Sequence, residues 1–303
     1  MPEITGKSWA MVTTLGLVWG GTFMVTEIAL RGLTPFWLAS ARTVFAAALM
    51  VAIWRARGLA LFADAPGRAD LGRLAVIGVL SSAAPFMLLS WGQQYVSSGF
   101  AGVSMSASAM MVLPLAHFLV PGERMTPRRF TGFLIGFIGV AVLIGGQAIV
   151  STGAALEWAG RVACVCASAC YAVSSVQMRL LPRVDPIGLN AVMLCVGTVP
   201  VVAAAWALEG PPPAVDAHTL AAVALLGLVP TAGASLLRVL VVRSAGPVFM
   251  SLTSYQVPVW SVILGTLILS EPLPPSLILA LALILWGMAI SQAGALRRLF
   301  LRR

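Results

Sequence analysis

The sequence predicts an all-α integral membrane protein of ten transmembrane helices, arranged as two inverted five-helix repeats with both termini on the cytoplasmic side. Three observations predict it. Apolar stretches of roughly twenty residues fill the 303-residue chain almost end to end, positive charge collects between alternate pairs of stretches, and the two halves share their punctuation. A helix needs about 20 apolar residues to cross the ~30 Å hydrocarbon core of a bilayer. With 59% hydrophobic and only 10% charged residues, the chain lacks the charge that a soluble surface of this size carries.

The first stretch, near Trp9–Leu30, follows Lys7 and has no fitting small-residue cleavage site, so it reads as a retained helix rather than a signal peptide. The second, Phe36–Trp54, opens behind Thr34-Pro35, and Pro is favoured where a helix starts. The third, Leu71–Trp91, follows a sixteen-residue gap, the longest in the chain and too short for a soluble domain. The fourth, Ser98–Val120, opens on Ser97-Ser98-Gly99, and the fifth, Phe130–Val150, carries Gly132 and Gly136 four residues apart. The sixth, Trp158–Leu181, is followed by Asp185-Pro186 and the seventh, Ile187–Leu208. The eighth, Leu220–Val242, leads through Ser244-Ala245-Gly246 to the ninth, Pro247–Ser270, and the tenth, Ser276–Leu296, ends in a basic tail. Trp9, Trp54, Trp91 and Trp158 stand near stretch ends, as interfacial anchors do.

Charge sets the orientation. With the N-terminus inside, fifteen of the nineteen Lys and Arg residues fall on inner segments, among them Lys7, Arg55, Arg57, Arg124, Arg128, Arg129, Arg179, Arg183 and Arg243. Only Arg31 and Arg161 fall in outer loops, a bias that places both termini in the cytoplasm and the protein in the inner (cytoplasmic) membrane. The net charge of +9 thus reflects topology, and no nucleic-acid partner is expected. Cys164, Cys166, Cys170 and Cys195 form no C-x-x-C pair, and His117 and His218 are far apart, so neither a metal site nor a cofactor is expected.

The chain divides near Ser151–Leu156 into repeats at 1–150 and 151–303. Pro opens the second stretch of each half, small residues open the fourth, and an E-x-x-x-P spacing (Glu123 to Pro127, Glu271 to Pro275) joins the fourth to the fifth. Five spans is an odd number, so the second half inserts upside down, as in many secondary transporters, whose solute site lies where the repeats meet near the midplane. Leu17-Val18-Trp19-Gly20, Leu38-Ala39-Ser40-Ala41-Arg42 and the paired Glu hairpins resemble the drug/metabolite transporter superfamily, and in particular its EamA-type members with two five-helix repeats. Size and layout are also similar to those of YddG-type amino-acid exporters. One departure from repeat symmetry is that Pro114 lies about one turn from the position matching Pro258. The resemblance implies a secondary transporter that exports small metabolites, neutral or aromatic amino acids first, by alternating access. Nucleobases, sugars or drugs, or a gated pore, are the alternatives.

Polar groups inside spans must turn away from lipid. Estimated span centres and helical spacing point to a cavity between spans one, three, four, six, eight and nine. Its expected lining is Trp19, Thr22, Ser82, Ser104, Ser108, Ser168, Tyr171, Ser175, Thr231, Ser251 and Tyr255. The competing reading of each Ser or Thr is helix–helix packing, where small residues let backbones approach. Glu27, Arg42 and Arg238 are the three charges clearly inside spans; Glu27 and Arg42 are close enough in depth to pair, and Arg42 is the candidate outer gate for a solute carboxylate. Pro85, Pro114, Pro230 and Pro258 each remove a backbone donor and are candidate hinges. The acid-poor centre suits a neutral or zwitterionic solute. No H-E-x-x-H or G-x-S-x-G is present, and Gly6-Lys7-Ser8 lacks the leading Gly of a phosphate loop, so neither an enzyme nor a built-in ATP motor is expected. The expected partners are a small-molecule solute and the lipid bilayer; monomer or homodimer stays open.

Overall fold

A computed structural model describes residues 4–63, 65–145 and 156–301. Ten helices among them are long and apolar enough to cross a membrane: α1 (Gly6–Leu30), α2 (Pro35–Ala56), α3 (Arg68–Gly92), α4 (Ser98–Leu119), α5 (Pro127–Gly145), α6 (Glu157–Arg179), α7 (Pro186–Glu209), α8 (Ala217–Ala245), α9 (Val248–Leu269) and α10 (Pro275–Leu301). Their starts follow local rules. Thr5 and Ser8 form a capping box at α1, and Asp185 accepts the Ile187 and Gly188 amides at α7, where Pro186 needs no donor. Asp216 accepts the Thr219 amide at α8. Apolar side chains such as Phe118, Val199, Leu267 and Trp286 are exposed on the outer surface, the placement that lipid contact favours.

Ten crossings return the chain to the end where it began. That end is here the terminal end, and the opposite one the distal end. The division at 151–155 and the tail residues Arg302 and Arg303 lie outside the described residues.

The helices pair in a pattern that survives renumbering by five. α1 packs on α9 as α6 packs on α4, and α1 on α8 as α6 on α3; α2 packs on α8 as α7 on α3. α2 with α7, α4 with α9, and α5 with α10 pair across the halves. Glycines allow a close approach at several of these contacts. A Cβ at Gly20 would lie 2.6 Å from Trp260 Cβ and 2.8 Å from the Val257 carbonyl, so α1 meets α9 backbone to backbone. A Cβ at Gly132 would lie 2.5 Å from the Gly287 carbonyl, which joins α5 to α10 in the same way.

Two of the four prolines proposed as hinges coincide with helix irregularity. α3 widens to a π-helix over Val79–Ala83, just before Pro85, and α8 does so over Gly227–Gly233, which contains Pro230. Pro230 has no amide to give the Leu226 carbonyl, and Thr231 Oγ1 donates to that carbonyl at 2.7 Å. In α4 and α9 the breaks fall at Ser106 and at Ser251–Leu252, whereas Pro114 and Pro258 lie within continuous helix. A proline bends a helix without ending it when neighbours absorb the freed carbonyl.

Arg161 is a correction. It was expected in an outer loop, but it lies inside α6, 3% exposed, in an ion pair with Glu157 one turn before it, and its Nη1 donates to the Ile144 carbonyl at 3.0 Å. The spans therefore hold a buried charge pair in addition to Glu27, Arg42 and Arg238. An i,i+4 pair at a helix start is one turn of spacing, readable in the sequence once the start is placed at Glu157 rather than Trp158.

Candidate functional site

A cavity of about 380 Å³ occupies the centre of the bundle, within the range of small-molecule sites. Burial is graded along it. At the distal end its lining residues Thr26, Ser90 and Gln93 are 2–3% exposed, and at the centre Ser82, Arg42 and Thr231 are still buried. Toward the terminal end Met178, Asn190 and Ser235 are half-buried, and Ser254 and Arg238 are exposed. The cavity is a blind pocket that opens toward the terminal end.

Its centre is built where the π-helical turns meet α1 and α2. Trp19 Nε1 donates to the Pro230 carbonyl at 2.9 Å. Arg42 Nε donates to Thr231 Oγ1 at 3.0 Å, and its guanidinium carbon lies 4.0 Å from the centre of the Phe86 ring. Ser82 Oγ donates to the Gly78 carbonyl at 2.7 Å and lies 3.3 Å from the Met193 carbonyl on α7. Thr231, Ser235 and Arg238 are four and three residues apart, so they form a polar ladder on one face of α8, and all three line the cavity. Most cavity hydroxyls already donate to backbone: Thr22 to Val18, Thr26 to Thr22, Ser108 to Met105 and Ser235 to Thr231. What they present to a solute is acceptor lone pairs.

Of the expected lining, the structure brings Trp19, Thr22, Ser82, Ser108, Tyr171, Ser175 and Thr231 together around this space, with Arg42 and Arg238. It does not bring in Ser104, Ser168, Ser251 or Tyr255. Ser168 Oγ donates to the Ser104 carbonyl at 2.6 Å, so these two serines join α6 to α4. Ser251 Oγ lies 2.7 Å from the Val248 carbonyl and 3.0 Å from Gln292 Oε1, against α10. Tyr255 packs into the apolar cluster around Phe100. Spacing put each of them on a polar face, but that face meets a neighbouring helix. Arg42 sits at the cavity centre, and no ion pair joins it to Glu27. Glu27 has no ion pair among the described residues. Of the hinge candidates only Pro230 lines the cavity.

Helix α7, absent from the expected lining, contributes Asn190, Met193 and Leu194, and α2 contributes Arg42. An amide inside an apolar span was the available signal for Asn190. Gln93 reads as loop in sequence, but its Nε2 donates to the Phe23 carbonyl at 2.9 Å and closes the distal end. Phe86, Ser81 and Ser106 are among the other lining residues that spacing missed.

The two ends are held differently. At the distal end Glu271 accepts the Ser98 amide at 2.7 Å and the Gly99 amide at 3.1 Å, and so caps α4 from the turn after α9. Glu209, ending α7, accepts from Thr34 Oγ1, the Phe36 amide and the Trp37 amide at 2.6, 2.9 and 3.0 Å, and so caps α2. At the terminal end Glu123, which matches Glu271 in the first half, pairs instead with Arg179; both side chains are more than a third exposed.

Sequence comparison decides the family. The description of the EamA-like transporter family matches residues 7–145 and again residues 158–292. The chain belongs to the EamA-like transporter family. Its relatives include an uncharacterized transporter of Archaeoglobus fulgidus, 25% identical over 94% of this chain and 98% of its own. The uncharacterized inner membrane transporter YedA of Escherichia coli is 26% identical over 92% of this chain and 89% of its own. A probable terminal-alkyne amino-acid exporter of Streptantibioticus cattleyicolor is 31% identical over 50% of each chain. A crystal structure 22% identical in sequence shares the fold, with a TM-score of 0.65 over 95% of this chain and 98% of that one. The protein is thus a multi-pass membrane protein of the drug/metabolite transporter superfamily, and family and relatives point to transport rather than catalysis.

Proposed function

We propose that this EamA-like protein is a secondary transporter that exports small metabolites by alternating access, with neutral and aromatic amino acids as the first class to test. The blind central cavity carries the reading: a solute can enter from one end and cannot leave by the other without a change of state. The helix pairing that is unchanged under renumbering by five supports two inverted repeats at 1–150 and 151–303, and the matched π-helical turns in α3 and α8 supply irregular backbone at their meeting point. The arginine distribution supports a cytoplasmic terminal end, so the cavity faces inward. The name of the Escherichia coli relative supports the inner membrane. The amino-acid class rests on the resemblance and on the name of the Streptantibioticus relative. Trp19, Phe86 and Tyr171 around the space suit an aromatic body.

Counterflow in proteoliposomes tests it. Vesicles loaded with unlabelled phenylalanine should accumulate labelled phenylalanine transiently and saturably, and adenine-loaded vesicles should not. Accumulation driven by adenine alone would move the substrate class. Equilibration without saturation would replace the carrier by a pore.

A further inference from the structure

Three features of the cavity bear on solute charge. First, two guanidiniums line it, Arg42 and Arg238, and among the described residues no Asp or Glu does. Second, neither has a carboxylate partner among the described residues. Arg42 is 7% exposed and commits only its Nε, to Thr231, while its ring neighbour Phe86 covers one face. Among the described residues no hydrogen bond uses the four N–H groups on its two terminal nitrogens, at the centre of the pocket. A buried guanidinium without a counter-charge is costly, and a planar fork of donors matches a carboxylate. Third, the two arginines lie in series. Arg238 is seven residues from Thr231 on the same face of α8, about 10 Å along the helix, so an anion entering from the open end meets Arg238 before Arg42.

We propose that the cavity selects its solute by negative charge: it takes organic monocarboxylates with an apolar or aromatic body, and an α-ammonium is dispensable. The carboxylate sits on the free fork of Arg42 beside Thr231 and against Phe86, and Arg238 draws it inward. The hydroxyl lone pairs around the pocket accept a neutral O–H or N–H of the solute as well as they accept an ammonium, while an ammonium alone is repelled by both arginines. The inference rests on the carrier reading and narrows it, because an amino acid becomes a substrate by virtue of its carboxylate.

Counterflow with an isosteric series tests this in the full chain: 3-phenyllactate, phenylalanine and phenylalaninamide, with adenine as a neutral control and protein-free vesicles as a leak control. Phenyllactate should have a KM equal to or below that of phenylalanine, and phenylalaninamide should give no flux. Arg238→Gln should raise the KM for phenyllactate about tenfold with kcat little changed, the worth of one charge-assisted contact. Arg42→Gln should lower kcat/KM more than Arg42→Lys does. Because Arg42 is buried and its variants could fail to fold, the exposed Arg238 variant keeps the test decisive. A tenfold preference for phenylalanine over phenyllactate, flux of the amide, or an unchanged KM in Arg238→Gln would overturn the proposal. Saturable flux of adenine without flux of any carboxylate would overturn it while leaving a carrier. No saturable flux of any solute, with folded protein verified in the vesicles, would remove the carrier reading and this one with it.

Discussion

The distal and terminal ends of the bundle carry carboxylates in similar turns, yet at one end the carboxylate caps a helix start and at the other it does not. Glu271 and Glu123 follow matching turns, Ser270 in the left-handed conformation (φ 56°) and Gly122 at φ 83°. Glu271 finds two free amides, because Ser98 and Gly99 begin α4. Charge and helix dipole act together there. Glycine at 265 makes room: a Cβ there would lie 2.5 Å from Glu271 Oε2 and 2.7 Å from Ser98 Oγ. The chain that leads into α9 at the terminal end holds Gly246 and Pro247. The Gly246 amide is already used by the Val242 carbonyl at 3.1 Å, and proline has no amide. Similar turns therefore leave their carboxylates in different roles, and the difference teaches that single amide donors at a helix start decide whether a neighbouring carboxylate ties two helices together.

That comparison can be broken or sharpened. The largest effect is expected from Glu271→Gln, which keeps the shape and removes the charge from two amide contacts, each worth about 1.5–3 kcal/mol. Labelling of a cysteine placed at Thr26 by an impermeant maleimide from the distal side should accelerate about tenfold or more; an unchanged rate would show that Glu271 is no latch. Glu209→Gln should act in the same direction but less, about 1 kcal/mol, since its contacts with α2 are more exposed. Pro247→Ala restores a donor at the terminal end, and labelling of a cysteine at Ser254 should then slow by a few-fold, about one net hydrogen bond. Glu123→Gln removes an exposed ion pair worth less than about 1 kcal/mol, so accessibility at Ser254 should stay within about twofold. A large change there would mean that Glu123 latches the terminal end in the other state.

The smallest effect concerns Asp216, at the distal start of α8. Hydrogen bonds from the Thr219 backbone and side chain hold its carboxyl below the usual value. A depressed folded value means that the cap's contribution is fully present above the unfolded carboxylate range and is lost as pH falls through the folded value. Thermal unfolding of Asp216→Asn should therefore match the parent in strong acid and fall slightly below it near neutrality.

By itself the sequence determined the number of spans, their approximate bounds, and the family. Those follow from local rules: length against bilayer thickness, Pro and Asp at helix starts, and motifs such as Leu17–Gly20. It also placed Trp19, Thr22, Tyr171 and Thr231 on inward faces, because polar groups in a span must leave the lipid. What it could not determine is which inward face meets a helix and which meets space. Ser168 and Ser175 are seven residues apart on one face of α6; the first is bonded to the Ser104 carbonyl and the second lines the cavity. The same holds for Arg42, whose depth allowed a pair with Glu27 but whose partner is Thr231, 189 residues away. Periodicity gives a direction from the helix axis. Only the packing of all ten helices decides what lies in that direction.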